Sequence, residues 1–356
     1  MILILFFVAA IACENGWAQS AQWKLNLVGA GNIFYDFNAE SVQVRRTYFD
    51  VTAEKKTSKG LTTGARIRFW TEPVFYNNSK MHQDGFGTDD TRTALDFLNE
   101  IEGYVQNIPL TEGKTNLLSV VAGKGYVRFG FDRPEEQAPF SEFPLIHPVT
   151  KAGGVGQVMH VRVGYKNTPL GLEVDSEIFE PATPDTEMFD VDLPESFGHG
   201  QAVSLRKNLP WGLVALGSFA NLEYADKTTA HRLATGMKFN RNLNKETKLQ
   251  AVVEYVVDNK KLQNGSERQT AAYLASAQVI RGKDTFAFQY GRVENPVRPA
   301  PVNQYTGYYG RKVFQKGRLK LNGFVEGGNT AGTSRGTSTG GDLKSKRAAV
   351  GIQFKF

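Results

Sequence analysis

The side chains of this sequence that could do chemistry are charged groups at alternate positions rather than a catalytic set. Arg66 and Arg68 are separated by one apolar residue, and Arg46 lies in the preceding run of the same kind. The sequence has no Gly-x-Ser-x-Gly elbow and its 5 histidines lack metal-ligand spacing, so it predicts no enzyme activity, no metal site and no cofactor. The single cysteine, Cys13, excludes a disulfide within the chain. No basic cluster on a recognisable module is present, so we expect no nucleic-acid partner.

The three arginines need anions nearby, because guanidinium groups on neighbouring strands repel one another at low dielectric. In one arrangement they face acidic residues of a loop across a narrow aqueous gap, and the field between the two sets biases the passage of ions. In the other arrangement they pair along their own wall with Asp50, Glu54 or Glu72 and only line it. The two arrangements are compatible, and the sequence does not choose between them.

The elements that position these side chains are strands, because apolar residues recur at every second position from Gln22 onward. Phe49, Val51 and Ala53 alternate with polar residues, and residues 249–257 alternate in the same way. A period of 2 gives each strand one apolar and one polar face. The chain has about 16 such segments of about 10–13 residues each, which predicts an all-β fold, a transmembrane antiparallel β-barrel. The segments lie near 22–35, 41–55, 61–73, 94–107, 116–130, 157–166, 170–179, 199–207, 212–224, 230–240, 246–258, 268–280, 284–293, 304–314, 318–326 and 344–356.

The connections between the segments tend to alternate in length, whereas those of a soluble β-sandwich are mixed. Short periplasmic turns and long external loops are typical of an outer-membrane barrel. The longer connections are 73–93, 131–156, 180–198, 259–267, 294–303 and 327–343. A barrel of about 16 strands encloses an aqueous channel, while about 8 strands would be filled by side chains.

Both ends of the chain carry targeting signals of an exported protein. Residues 1–20 begin with a short apolar run and end in small residues, which predicts a signal peptide followed by a barrel over residues 21–356. The last strand is apolar at every second position up to a final phenylalanine. This pattern resembles the recognition signal of outer-membrane barrels and implies the barrel-assembly machinery as a partner. Its residues are Val350, Ile352, Phe354 and Phe356.

The third external connection, residues 131–156, is the candidate constriction loop. It is long, acidic and stiffened by four prolines, so we expect it to fold into the barrel and narrow it. The alternative is an ordinary external loop that is rich in proline. The candidate pore-lining and constriction residues are Arg46, Arg66, Arg68, Glu72, Arg128, Asp132, Glu135, Glu136, Glu142 and Arg162.

Two short motifs resemble a known family. Residues 45–51 resemble the paired-arginine second strand, and residues 120–130 the glycine-rich strand before the constriction loop, of Gram-negative porins of the phosphate-selective O/P type. The resemblance implies passive diffusion of small hydrophilic solutes and ions through the outer membrane, and a homotrimer in which loop residues 81–92 contact the neighbouring subunit. Outer-membrane lipid and lipopolysaccharide would surround the barrel.

The net charge bears weakly on selectivity. The chain carries +6, and removing the leader, whose only charged residue is Glu14, raises this to +7, which favours anions. Two other functions are left open: a structural barrel, such as a sheath or an adhesin, and an outer-membrane hydrolase. A sheath predicts a closed lumen without its partner, and a hydrolase predicts cleavage of lipid or peptide.

Overall fold

The alternating segments form sixteen antiparallel strands. The computed structural model describes residues 23–37, 40–57, 60–70, 98–111, 113, 115–131, 157–181, 197–224, 227–294, 301–333 and 342–356. The strands are β1 (Trp23–Asp36), β2 (Ser41–Lys56), β3 (Thr62–Trp70), β4 (Leu98–Pro109), β5 (Asn116–Tyr126), β6 (Gln157–Asn167), β7 (Leu172–Pro181), β8 (Phe197–Leu209), β9 (Leu213–Tyr224), β10 (Thr229–Asn242), β11 (Thr247–Lys261), β12 (Glu267–Arg281), β13 (Asp284–Glu294), β14 (Val302–Lys316), β15 (Leu319–Thr333) and β16 (Asp342–Lys355).

Each strand pairs with its neighbours in sequence, and β1 pairs with β16, so the sheet is a closed barrel. The seam extends one residue beyond β16, because the backbones of Gly29 and Phe356 exchange hydrogen bonds of 3.0 and 2.9 Å. The predicted strand number and the antiparallel closed fold are confirmed. Among the described residues, no helix is long and apolar enough to cross a membrane.

The two faces of the sheet differ as the period of 2 predicts. On β13, Phe286 and Phe288 point outward and are about half exposed (53% and 50%), whereas the intervening Ala287 and the next residue, Gln289, point inward and are buried. Outward apolar side chains are exposed all round the barrel. Because the described strands all belong to one closed barrel, their apolar faces do not form the packed core of a sandwich.

Two of the short turns have the glycine that their geometry requires. Gly282 and Gly317 are the first residues of two-residue turns, and both have a φ of 57°. A positive φ at this position matches the twist of the flanking strands and costs glycine little. These turns lie at the end of the barrel where β1 begins and β16 ends.

Several boundaries differ from the sequence prediction. The connection expected at 259–267 is only the turn 262–266, because β11 and β12 continue in register to Lys261 opposite Glu267. Likewise β15 continues to Thr333, where it pairs with Asp342 at the start of β16. β5 ends at Tyr126 rather than near residue 130, since the chain leaves the wall there.

Candidate pore lining and constriction

Arg66 and Arg68 lie on the inner face of β3 and pair with two carboxylates on the neighbouring strands. Asp50 of β2 accepts from Arg68 Nε (2.5 Å), Arg68 Nη2 (2.7 Å) and Arg66 Nη2 (2.9 Å). Glu100 of β4 lies 3.0 Å from Arg68 Nη1 and 3.1 Å from Arg66 Nη1. The ring of Tyr48 lies 4.5 Å from the Arg68 guanidinium carbon and covers it. Two cations and two anions therefore form one network on a single wall.

For Arg66 and Arg68 the network is the arrangement in which the arginines pair along their own wall, one of the two that the sequence left open. Both pair with Asp50, as one arrangement predicted, and with Glu100, which the sequence did not suggest. Glu54 instead accepts a hydrogen bond of 2.7 Å from the Tyr104 hydroxyl. The side chain of Arg66 is 22% exposed and that of Arg68 only 3%, so Arg66 is the one that faces the lumen. A role at a constriction stays a prediction.

A second charged cluster continues the first one along the wall. His160 of β6 is fully buried and contacts a carboxylate through each ring nitrogen: Nε2 lies 3.0 Å from Glu102 Oε1, and Nδ1 contacts Glu177 Oε1. Arg162 lies two residues further along β6, opposite Glu177 of β7 in the register, and is buried. His160 and Arg162 lie on the same inner face of β6.

Arg128 lies just beyond β5 and joins this cluster. Its guanidinium Nη1 is 2.6 Å from Asp175 Oδ2, and its backbone N–H donates to Glu177 Oε2 over 2.9 Å. Glu177 therefore holds His160 with one oxygen and the Arg128 backbone with the other. The Glu177 carboxylate of the wall thus bonds to the backbone at Arg128, where the chain leaves the wall.

Residues 127–131, which we call the inner segment, run inside the barrel. The N–H of Gly130 donates to Ser218 Oγ of β9 (3.2 Å), and the N–H of Phe131 donates to Glu254 Oε1 of β11 (2.7 Å). Arg206 of β8 donates to the carbonyl of Gly130 over 3.3 Å. Since β11 is six strands away from β5, the chain has crossed a large part of the lumen by Phe131. The candidate constriction loop therefore begins inside the barrel.

Apolar residues of the inner wall pack around this segment. Val127 and Phe129 belong to a buried cluster whose other members come from β6 to β14. Those members are Val158, Phe179, Ala202, Ala220, Leu222, Tyr224, Ala230, Ala234, Val256, Ala272, Val293 and Val302. Part of the lumen is therefore dry, and the inner face is not uniformly polar.

Several predicted site residues cannot be placed. Glu72, Asp132, Glu135, Glu136 and Glu142 lie outside the described residues, as do loop residues 81–92 and residues 1–20, which we predict to be a signal peptide. Arg46 belongs to β2, but its side chain is outside the description. The residues that would form the acidic half of the proposed field therefore stay predictions.

The four residues of the proposed assembly signal occupy the seam of the barrel. Val350 and Ile352 point outward and are about half exposed. The ring of Phe356 lies against Gly29, where a Cβ would overlap it, and its centroid is 5.7 Å from that of Phe49. Phe356 thus closes the barrel against β1, while its use as a recognition signal stays a prediction.

The sequence contains a signal for the acidic partners that was missed. Each basic pair at alternate positions has an acidic pair at alternate positions on an adjacent strand: Glu100 and Glu102 beside Arg66 and Arg68, and Asp175 and Glu177 beside His160 and Arg162. Matching such pairs between successive predicted strands would have found the network. Nothing in the local sequence indicated Glu254 or Ser218, whose partners are the backbone of the inner segment.

Comparison with known proteins shows which fold this is. No protein-family model and no curated protein matches the chain. Among solved structures it is similar to the anion-selective porin of Comamonas acidovorans, at 14% identity and a TM-score of 0.59 over 94% of this chain and 100% of that one. It is also similar to the channel DcaP of Acinetobacter baumannii, at 13% identity and a TM-score of 0.59 over 95% and 98%. The trimer form of OmpT of Vibrio cholerae matches at 10% identity and 0.57 over 94% and 99%. The chain therefore has the sixteen-stranded fold of these outer-membrane barrels.

Proposed function

We propose that the protein is a passive diffusion channel of a Gram-negative outer membrane for small hydrophilic solutes and ions. The observation that carries the proposal is the contrast between an outer face with exposed apolar side chains and an inner wall with charged networks, in one closed barrel. Exposed apolar surface of this extent is costly in water and stable in lipid. Solved barrels of the same fold include a protein described as an anion-selective porin and one described as an outer membrane channel, which supports the proposal.

The proposed constriction lies where the inner segment enters the lumen. Its bonds to Ser218 and Glu254 hold the start of the loop 131–156 inside the barrel. We propose that the acidic residues of that loop line the narrow point opposite Arg46 and Arg66, with Arg162 on the wall and Arg128 in the inner segment near it. Those acidic residues are Asp132, Glu135, Glu136 and Glu142, and Glu72 is proposed to line the same region.

Conductance in planar bilayers tests the channel. Purified protein should give stepwise, ohmic current increments in salt solution. A protein that inserts, as shown by protease protection, but never raises the current would contradict the proposal. It would favour a sheath, for which the dry inner cluster is the supporting observation.

Reversal potentials in a salt gradient test the proposed weak preference for anions. Replacing Arg66→Gln removes a partly exposed cation from the lumen and leaves Asp50 and Glu100 in excess, so the reversal potential should shift towards cations. The charge-balanced double variant Arg66→Gln with Asp50→Asn is the matched control and should shift little. Equal shifts in both variants, or none in either, would remove Arg66 from the ion path.

The resemblance to phosphate-selective porins makes phosphate the solute to compare with chloride. If the channel is phosphate-selective, adding phosphate at a small fraction of the chloride concentration should reduce the chloride current by occupying the pore. An unchanged chloride current would leave a general diffusion pore.

We also propose a homotrimer embedded in lipid and lipopolysaccharide. The trimer form of the similar Vibrio cholerae protein supports this assembly. Native mass spectrometry from mild detergent should give three copies, and a monomeric species as the only one would contradict it.

A further inference from the structure

We propose that His160 is a positioning residue: as an imidazolium held between Glu102 and Glu177, it fixes the carboxylate that anchors the inner segment, and its proton makes the constriction sensitive to pH. The inference rests on the proposed function, because it concerns the segment that narrows the channel.

The geometry of the ring requires two protons in this cluster. Carboxylate oxygens accept hydrogen bonds, and a neutral imidazole has only one N–H. The Nδ1 and Nε2 atoms of His160 each contact a carboxylate oxygen, of Glu177 and of Glu102 respectively. With a neutral ring and ionised carboxylates, one contact would bring two acceptors together. The imidazolium, with an N–H at both nitrogens, satisfies both contacts.

The charge balance of the wall agrees with this state. Excluding His160, the residues of the two charged clusters described above are four cations and five carboxylates, so a charged His160 equalises this set. The cations are Arg66, Arg68, Arg128 and Arg162, and the carboxylates are Asp50, Glu100, Glu102, Asp175 and Glu177. A neutral ring would leave one buried carboxylate in excess. Burying an ion without a compensating charge is costly, so the charged ring is favoured.

Lys124 of β5 is buried close to this cluster, opposite Met159 in the register. Among the described residues, the other charged groups around His160 are Glu102 from β4, Glu177 and Asp175 from β7, Arg128 from the inner segment and Arg162 from β6 itself. From β5 it meets glycine: a Cβ on Gly125 would overlap Glu102 Oε1 and lie 3.0 Å from His160 Nε2. Glycine at this position thus permits the close approach of ring and carboxylate.

Glu177 transmits the state of His160 to the channel. Its Oε2 accepts the backbone N–H of Arg128, the second residue of the inner segment, and its Oε1 contacts His160. If the ring loses a proton, one carboxylate loses its donor and is repelled by the other. A rotation of Glu177 then releases the Arg128 N–H and loosens the segment at its root.

The first test observes the proton directly and does not depend on conduction. In the intact barrel in detergent micelles, with nitrogen-15 in its histidines, NMR at about pH 7 should show one buried ring with an N–H on both nitrogens. A neutral His160 ring with a single N–H would overturn the proposal. This measurement needs only the unmodified sequence, so it decides the matter even if variants fail to fold.

The second test compares His160→Gln with His199→Gln, an exposed histidine on the outside of β8. Brief closures of single channels are counted from about pH 5 to about pH 9, a range that includes ordinary histidine titration. With the unmodified chain the closing rate should rise roughly tenfold or more towards alkaline pH, the effect of losing one charge-assisted hydrogen bond. His160→Gln should show the alkaline rate at every pH, and His199→Gln should behave like the unmodified chain.

Rescue separates positioning from a general loss of structure. Adding Glu102→Gln to His160→Gln removes one of the two facing carboxylates and should restore the low closing rate without restoring its pH dependence. A His160→Gln channel that keeps the pH dependence of the unmodified chain would overturn the proposal. A barrel that never conducts at any pH would instead contradict the proposed function, while the NMR result would still stand.

Discussion

At the scale of single residues, the arginines of the β3 inner wall are paired with carboxylates of the neighbouring strands. Arg68 is almost fully buried, and burial of a guanidinium is tolerated only when carboxylates and hydrogen bonds replace its hydration. Its Nε, Nη1 and Nη2 atoms all have such partners in Asp50 and Glu100. Arg66 shares the same carboxylates but keeps part of its surface in the lumen. Arg68 is therefore a structural residue, whereas the partly exposed Arg66 is the one that we propose acts on ions.

The burial of Arg68 predicts that replacing it alone destabilises the barrel more than replacing it together with one of its carboxylate partners. Arg68→Gln leaves Asp50 and Glu100 with only one cation between them, and breaking a buried pair in this way typically costs about 3–5 kcal/mol. The double variant Arg68→Gln with Asp50→Asn leaves the balanced pair Arg66 and Glu100 and should cost less. Urea unfolding in micelles, followed by tryptophan fluorescence, measures both. A single variant as stable as the double one would contradict the account of the network.

At the scale of elements, β5 and the inner segment after it join the wall to the lumen. Gly123 has a φ of 144° and pairs with Glu102, and a Cβ there would overlap the carbonyl oxygen of Ile101. The close pairing of β4 and β5 at this point sets Glu102 against His160 and Gly125. The glycines of β5 therefore allow the charged side chains of the cluster to pack closely against this strand. The chain turns inward directly after β5.

We expect Gly123→Ala to destabilise the barrel and Gly217→Ala to have little effect. A side chain at Gly123 meets backbone atoms that cannot move aside and adopts an unfavourable φ, which costs about 1–3 kcal/mol. At Gly217 a Cβ would meet nothing within 4 Å. Thermal unfolding of both variants in the same detergent makes the comparison. Equal melting temperatures would show that β4 and β5 can separate at Gly123 without cost.

The strands could be predicted from the sequence because the side chains on one face of a strand share the same environment along its whole length. The two faces therefore alternate between apolar and polar residues. This alternation fails on β9. Its inward Ala220 and Leu222 are apolar because they belong to the buried cluster around the inner segment. With both faces apolar, the period no longer reveals which face is inner. In the same way, Glu100 is 32 residues from Arg68, and only the register between β3 and β4 brings them together. Contacts across the lumen and between strands depend on the closed fold and not on local sequence.

At the scale of the whole molecule, closure explains why a chain with this composition can leave so many apolar side chains exposed. A barrel has no free edge, so every strand satisfies its backbone within the sheet and can lie in a solvent that offers no hydrogen bonds. Exposed side chains such as Leu25 (72%), Val42 (68%) and Ile178 (59%) then face hydrocarbon instead of water. The dry cluster narrows the lumen from one side, while the charged networks occupy the wall of β2 to β7.

The most direct test of this account is the accessibility of adjacent positions in the intact membrane. Ile352 points outward on β16 and Gln353 inward, where its Oε1 accepts from Asn322 Nδ2 over 3.4 Å. Single cysteines are introduced as Ile352→Cys and Gln353→Cys, and the membranes are treated with a thiol reagent that is soluble only in water. We expect rapid labelling at position 353, and labelling at position 352 only after extraction of the lipid. Equal reactivity of the two positions in the membrane would contradict a cylinder that separates hydrocarbon outside from water inside.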